Sequence, residues 1–303
     1  MIDLTVHLML LVVMPPLLQG VIIKTKALFA GRIGAPLLQP YYDLLKLLRK
    51  QMVLSTTTTW VFLAAPPVTL VATLGAGLLL PLGGSAAPIH FAGDLVLFVY
   101  LLALGRFFTA IAALDTGSSF EGMGTAREIT FACLAEPAVF LAFLALVKIT
   151  GSLSLSGTLG AGVVAGWETA APTMVMLVAG LFIVALAENS RIPFDDPNTH
   201  LELTMIHEVM VLDHSGPALG LIEYGAAMKL FLFGGLVARL AAPVATGSPA
   251  LDWGAFVLAL LLFAAAVGVV ESAIARLRLV HVPNLLIGAG VLTGFGFILL
   301  LMR

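Results

Sequence analysis

The segment from Glu188 to Gly216 reads E-N-S-R-I-P-F-D-D-P-N-T-H-L-E-L-T-M-I-H-E-V-M-V-L-D-H-S-G. It contains seven charged side chains and three histidines, and apolar runs long enough to cross a bilayer flank it on both sides. No other segment concentrates so much polar chemistry in so little length. The pattern predicts a polar loop that membrane helices hold against a partner.

The composition is that of a polytopic membrane protein. Of the 303 residues, 60% are hydrophobic and 11% are charged, whereas soluble domains carry about 25% charged residues. The mean hydropathy is +1.08. A net charge of −2 shows no nucleic-acid footprint, and the single cysteine, Cys133, cannot form an internal disulfide or a cysteine metal cluster. The first apolar run lacks a small-residue cleavage site and is expected to be retained.

Eight apolar runs of spanning length predict an all-α fold: a single integral membrane domain over residues 1–303, with about eight transmembrane helices and one amphipathic interfacial helix. We see no sequence repeat. The predicted spans cover roughly residues 4–23, 60–82, 94–114, 129–149, 171–188, 217–240, 253–272 and 282–302.

Basic residues predict the orientation, because cytoplasmic loops are enriched in lysine and arginine. Ten lie in loops after odd-numbered helices, against three near the opposite helix ends. We therefore expect cytoplasmic loops at about 24–59, 115–128, 188–216 and 273–281, with both termini outside the cytoplasmic (inner) membrane. The ten are Lys24, Lys26, Arg32, Lys46, Arg49, Lys50, Arg127, Arg191, Arg276 and Arg278; the three are Lys148, Arg239 and Arg303.

The segment Pro40–Lys50 has apolar residues at helical spacing, a proline near its start and basic residues near its end. It predicts an amphipathic helix in the membrane interface. Asp43 and Lys46 on this helix are candidates for docking a partner, and a plain interfacial anchor is the alternative.

Four ionisable residues fall inside the predicted spans: Arg106, Glu136, Glu223 and Lys229. Charge in hydrocarbon is costly and usually functional. At about 1.5 Å per residue, the first three lie roughly 9–12 Å from the cytoplasmic ends of their helices and Lys229 about 18 Å in. This predicts a proton or ion path below the polar loop, and buried ion pairs that only fix helix packing are the alternative. Two acids of the loop, Glu202 and Asp213, complete the predicted path.

Other chemistry is not indicated. No phosphate-binding glycine loop occurs in the right context, and His207-Glu208 lacks the second histidine of a zinc-binding H-E-x-x-H motif. We predict no catalytic residue and no metal site. Glu271 ends the seventh span near two arginines and is expected at the membrane interface. Arg239 is expected to snorkel.

Three motifs carry a family resemblance. E-N-S-R-I-P-F-D-D-P at Glu188–Pro197 resembles the E-x-x-R-x-P-F-D-L signature of the complex I membrane subunit that holds the quinone chamber. The stretch Gly31–Lys50 resembles that family's G-L-L-Q-P-x-x-D-x-x-K-L segment, and Arg127 with Glu136 resembles its third conserved loop and following helix.

A closer resemblance is to the branch found in membrane-bound group 4 NiFe hydrogenases, such as formate hydrogenlyase and hydrogenase-4. The motifs A-L-D-T-G-S-S-F at Ala113–Phe120 and E-S-A-I-A-R-L-R-L at Glu271–Leu279 are similar to patterns of that branch. The resemblance implies a helical subunit that binds no cofactor itself. It implies cytoplasmic partners, namely hydrogenase-like large and small subunits with iron–sulfur clusters and a NiFe centre, and antiporter-like membrane partners. The implied docking residues are Glu188, Arg191, Phe194, Asp195, Arg127, Asp43 and Lys46.

The sequence departs from the common pattern inside the polar loop. Asn198 and His200 stand where the family has acids, and Asp213-His214 replaces its Glu-Tyr before Ser215-Gly216, in a segment about three residues longer. These changes argue against the first alternative, the quinone-binding subunit of an NADH:quinone oxidoreductase. The second alternative, a free-standing ion transporter, lacks the internal repeat that such proteins show.

Overall fold

The computed structural model describes residues 2–195, 205–243 and 247–302. Every regular element in these ranges is helical. The helices are α1 Ile2–Phe29, α2 Gln39–Leu48, α3 Trp60–Leu79, α4 Asp94–Asp115, α5 Ser119–Thr150, α6 Leu155–Thr158, α7 Ala161–Glu188, α8 Gly216–Ala241, α9 Pro249–Ala273 and α10 Val282–Leu301, with 3₁₀ turns at Glu208–Val211 and Leu279–His281.

Eight of these helices are long and apolar enough to cross a membrane, which confirms the predicted number within the described residues. Their chain direction alternates, so the polar segment after α7 and the connections after α1, α4 and α9 share one end of the bundle. We call this the loop end. Both described chain ends lie at the opposite end, in agreement with the predicted topology.

Three predicted boundaries are wrong. Helix α5 begins at Ser119, ten residues before the expected start, because the polar residues of the predicted 115–128 loop continue the helix. Helix α1 runs on to Phe29 through Lys24 and Lys26. Helix α7 begins at Ala161, and a kink at Ala170, just before Pro172, separates its early turns from the predicted span.

Helix α8 is the centre of the bundle. Within its most apolar window, 72% of the residues are buried, against 22% in the span that contains α10. The amphipathic helix α2 lies across α1 and α8, where the Tyr41 hydroxyl donates to the carbonyl of Val13. Its observed range, Gln39–Leu48, confirms the predicted interfacial helix as an element.

The later described part of the polar segment, residues 205–215, packs on the first turns of α5. A side chain at Gly124 would lie 2.2 Å from Cγ1 of Val209 and 3.0 Å from the carbonyl oxygen of Ile206, so only glycine permits this approach. The Glu121 carboxylate accepts a hydrogen bond from the amide of Asp213 at 3.1 Å. The segment is thereby held over the loop ends of α4, α5 and α8.

Candidate functional site

Four helices contribute charged side chains to a cluster near the loop end, which we call the inner cluster: Arg106, Glu136, Glu188 and Lys229. Arg106 lies 2.6 Å from a carboxylate oxygen of Glu136 and 2.6 Å from one of Glu188. The Lys229 ammonium lies 2.8 Å from the same oxygen of Glu188. Glu128, on the first turns of α5, lies 3.7 Å from Arg106. One buried carboxylate therefore neutralises two cations that come from different helices.

The inner cluster refines the predicted ion path. Arg106 contacts Glu136, one of the two expected glutamates, while its contacts among the described residues do not include Glu223. The side chain of Glu188 is only 6% exposed, because it turns inward from the last residue of α7 to meet the two cations. The docking role assigned to Glu188 remains a prediction, but its buried side chain is not available for direct contact with a partner. Lys229 was predicted as a deeper member of the path, and its ammonium shares the Glu188 carboxylate with Arg106.

A second set of ion pairs fastens the polar segment to the bundle, and we call it the outer cluster: Lys26, Arg191, Asp195, Glu271 and Arg276. Glu271 is fully buried, 2.8 Å from Lys26 and 3.6 Å from Arg191. Glu271 lies in the last turn of α9, where α1 and the residues after α7 cover its side chain. Arg276 lies 2.7 Å from a carboxylate oxygen of Asp195.

Asp195 organises the segment that follows α7. Its second oxygen accepts hydrogen bonds from the amides of Ile206 and His207, at 3.0 and 3.1 Å. Asp195 is 1% exposed and Phe194 is 2% exposed. Both side chains are therefore buried and do not lie on the surface, and the docking role assigned to them remains a prediction.

A cavity lies between the inner and outer clusters. Its charged and titratable wall is formed by three members of the inner cluster, Arg106, Glu188 and Lys229, and by Glu128, Arg191, His207, Glu208 and Glu223. The rest of its wall is uncharged. Apolar side chains form much of it, together with the polar side chains of Gln19, Thr69, Thr73 and Thr109. The cavity thus connects the polar segment to polar groups at membrane depth.

Glu208 was not predicted as a site residue. It begins the 3₁₀ turn and lines the cavity beside Glu223. Burial, followed by the negative charges of Glu223 and Asp195, raises the pKa of Glu208 to about 7, although Arg191 opposes the shift. A carboxyl group with this pKa can take up and release a proton near neutral pH. Glu208 was considered only as part of His207-Glu208, for which a metal site and contacts with a partner were the interpretations weighed.

The remaining predicted residues lie around this core. Arg127 donates to the carbonyl of Met205 at 2.8 Å and so supports the polar segment. Asp213 contributes its amide to Glu121, as described above, and Asp43 accepts from Gln39 on the exposed face of α2. Lys46 is exposed on the same helix. Glu202 lies outside the described residues.

Two further polar groups are buried. His214 stacks on Phe62 with ring centroids 3.9 Å apart, and burial lowers the pKa of the imidazole to about 4. Arg239 is buried and donates to the carbonyl of Leu159 at 2.7 Å, so it does not snorkel. In the ranges that the structure describes, no group of three or more metal-ligating side chains comes together. The absence of a cofactor in this chain remains a prediction.

The fold and the site define a multi-pass helical membrane protein with paired charges and a polar cavity beneath a loop. The sequence matches the NADH dehydrogenase family (NADHdh) over residues 2–302, and the chain belongs to that family.

Among curated relatives, hydrogenase-4 component C of Escherichia coli (strain K12) is 34% identical over 237 residues, which is 77% of this chain and 73% of the relative. Formate hydrogenlyase subunit 4 of the same organism is 29% identical over 313 residues, covering 96% and 94%. A subunit of the NADH-quinone oxidoreductase of Burkholderia vietnamiensis (strain G4 / LMG 22486) is 26% identical over 224 residues, covering 69% and 61%.

A solved structure has the same fold. It is a chain from the membrane-bound sulfane sulfur reductase, an archaeal respiratory membrane complex, with a TM-score of 0.80 over 99% of this chain and 100% of that one. At 21% identity, this similarity concerns the fold alone.

Proposed function

We propose that this chain is the membrane anchor and coupling subunit of a group 4 NiFe hydrogenase-like complex, of the formate hydrogenlyase or hydrogenase-4 type. It docks a peripheral electron-transfer arm at the loop end and links that arm to proton or sodium translocation. The chain itself carries out no redox chemistry in this proposal. Its partners supply the iron–sulfur clusters and the NiFe centre, and antiporter-like subunits complete the ion path in the cytoplasmic membrane.

The observation that carries the proposal is the position of the cavity. It lies directly beneath the polar segment, between two sets of ion pairs, and it contains Glu208 and Glu223 in close electrostatic contact. Charge changes above the segment act strongly on groups in such a poorly screened interior. The similarity to hydrogenase-4 component C and formate hydrogenlyase subunit 4 supports this assignment over the alternatives.

The docking part of the proposal follows from how the segment is fastened. Arg191 and Asp195 hold it from below through Glu271 and Arg276, so they set its shape and leave other side chains to touch the partner. The paired change Arg191→Ala with Asp195→Asn should release the peripheral arm while the membrane subunit still inserts. An arm that stays bound through purification would show that docking does not depend on this segment.

The coupling part is tested with Glu223→Gln in vesicles that contain the whole complex. We expect electron transfer to a soluble artificial acceptor to persist, and formation of the ion gradient to fail, because a neutral amide cannot exchange a proton. Glu136→Gln should act in the same direction. Both rates are measured on the same vesicles.

The matched control is Glu168→Gln. Glu168 is an exposed glutamate of α7 that does not line the cavity. This variant should keep both activities. Unchanged pumping in Glu223→Gln and Glu136→Gln would mean that these carboxylates serve only helix packing.

A second candidate is the quinone-binding subunit of an NADH:quinone oxidoreductase. The observation in its favour is the polar cavity that reaches membrane depth, together with the similarity to the Burkholderia NADH-quinone oxidoreductase protein. The subunits that copurify with the chain decide between the two. A NiFe large subunit supports the first candidate, and an NADH-oxidising subunit supports the second.

A further inference from the structure

Helix α2 carries a second polar feature that the coupling function does not use. An open groove on its outer face is lined by Tyr42, Leu45, Lys46, Arg49 and Lys50. Tyr42 is 58% exposed and Leu45 is 51% exposed. The groove therefore places apolar side chains next to three cations.

The cations of this groove have no carboxylate partner. Within the described ranges, no acidic side chain lies within salt-bridge distance of Lys46, Arg49 or Lys50. Asp43, the one acid on this helix, bonds to Gln39 instead. Three cations within five residues form a local positive field that favours an anionic ligand.

The packing of α2 sets the height of the groove. Leu47 and Leu48, at the C-terminal end of α2, lie against Gly220 in the second turn of α8, close to the loop end. Tyr41, near the start of α2, reaches deeper and bonds to Val13 in the middle of α1. The C-terminal end of α2, where the three cations lie, is therefore close to the ends of the spans, where lipid headgroups lie.

The arrangement of apolar and charged side chains around α2 fits a location at the level of the lipid headgroups. At about 100° per residue, Leu45 and Leu48 fall on one flank of the exposed face and Asp43 on the other, with Tyr42 and Lys46 between them. Arg49 and Lys50 follow directly after the last helical residue, Leu48. A helix with this order immerses its apolar flank in the acyl region and presents its cations to the headgroups.

We infer that this groove binds the headgroup of an anionic phospholipid. Lys46, Arg49 and Lys50 contact the phosphate, while Tyr42 and Leu45 contact the upper acyl chain. The apolar residues decide in favour of a lipid over an acidic protein surface, because a lipid satisfies both halves of the groove at once. This binding is independent of the coupling function.

The test uses the full complex in lipid nanodiscs with a Tyr42→Trp reporter. Brominated phosphatidylglycerol and brominated phosphatidylcholine quench a nearby tryptophan, and the ratio of the two quenching efficiencies gives the lipid preference. The same complex without the reporter supplies the background from native tryptophans, three of which lie in this chain. We expect a clear preference for phosphatidylglycerol, which weakens as salt is raised.

The paired change Arg49→Gln with Lys50→Gln should reduce this preference by about fivefold for each cation removed. The matched control is Arg32→Gln with Arg278→Gln, which removes two arginines from the same end of the bundle. Neither arginine lines the groove, so this variant should keep the preference for phosphatidylglycerol. Copurification of the peripheral arm is followed in each variant.

Three results would overturn the inference. The first is equal quenching by both lipids when Arg49 and Lys50 are intact. The second is a loss of phosphatidylglycerol preference in the control variant, Arg32→Gln with Arg278→Gln, as large as that in Arg49→Gln with Lys50→Gln. The third is a groove inaccessible to either lipid in the intact complex, combined with release of the arm by the Arg49 and Lys50 changes. That result would assign the groove to a protein partner.

Discussion

Replacement of Glu188 by glutamine removes the carboxylate that Arg106 and Lys229 share. The side chains of Arg106 and Lys229 are only 11% and 17% exposed, so hydration cannot replace the lost carboxylate at either cation. Loss of one member of a buried ion pair costs about 3–5 kcal/mol. Arg106 keeps Glu136 at 2.6 Å, whereas Lys229 loses the only carboxylate found within salt-bridge distance of it in the described ranges. We therefore expect a loss of about 3 kcal/mol in the free energy of unfolding, near the lower limit of this range.

The assay is unfolding of the purified subunit in mixed micelles as the fraction of denaturing detergent is raised, followed by circular dichroism. The comparison variant is Glu136→Gln. This side chain is 38% exposed, so the change should cost about 1 kcal/mol or less.

A double substitution tests whether the unpaired cation is the cause. Adding Lys229→Met to Glu188→Gln removes the charge that has lost its partner, so the double variant should recover at least half of the loss. The reasoning is refuted if Glu188→Gln costs no more than Glu136→Gln, or if Lys229→Met restores nothing.

Three further predictions concern the loop end. Labelling of tagged termini in intact cells should find both outside, and a cytoplasmic carboxyl terminus would contradict the topology. In the folded protein Glu208 holds its proton up to about pH 7, while an ordinary glutamate releases it near pH 4.5. Its contribution to stability is therefore lost as the pH rises through that window, and Glu208→Gln should flatten the decline in thermal midpoint between pH 4.5 and about 8. Gly124→Leu should displace residues 205–215 from α5, because the new side chain would collide with Val209. Proteolysis of this segment should then be faster than in the control Gly122→Leu, whose side chain would enter open space.

Features that depend on one helix at a time could be predicted from the sequence. Apolar run length indicated the number of spans, and the spacing of Tyr41, Leu44 and Leu48 indicated helix α2. The depth of Arg106 and Glu136 along their helices was also sufficient to place them near one another.

Features that depend on how helices rotate against each other could not be predicted. Hydropathy does not fix the direction in which Glu188 leaves the last turn of α7, so its capture by Arg106 and Lys229 was missed. Glu271 was assigned to the interface because neighbouring arginines follow it in sequence, yet Lys26 of a distant helix covers it. Asp195 reads as a surface charge until Arg276 and the amides of Ile206 and His207 are placed around it.

The bond between Asp195 and the amide of Ile206 joins positions that are eleven residues apart in the chain. Together with the bond to the amide of His207, it holds the start of the 3₁₀ turn, and with it Glu208 on the cavity wall, to the residues that follow α7. A partner that displaces Asp195 on docking should therefore also displace Glu208.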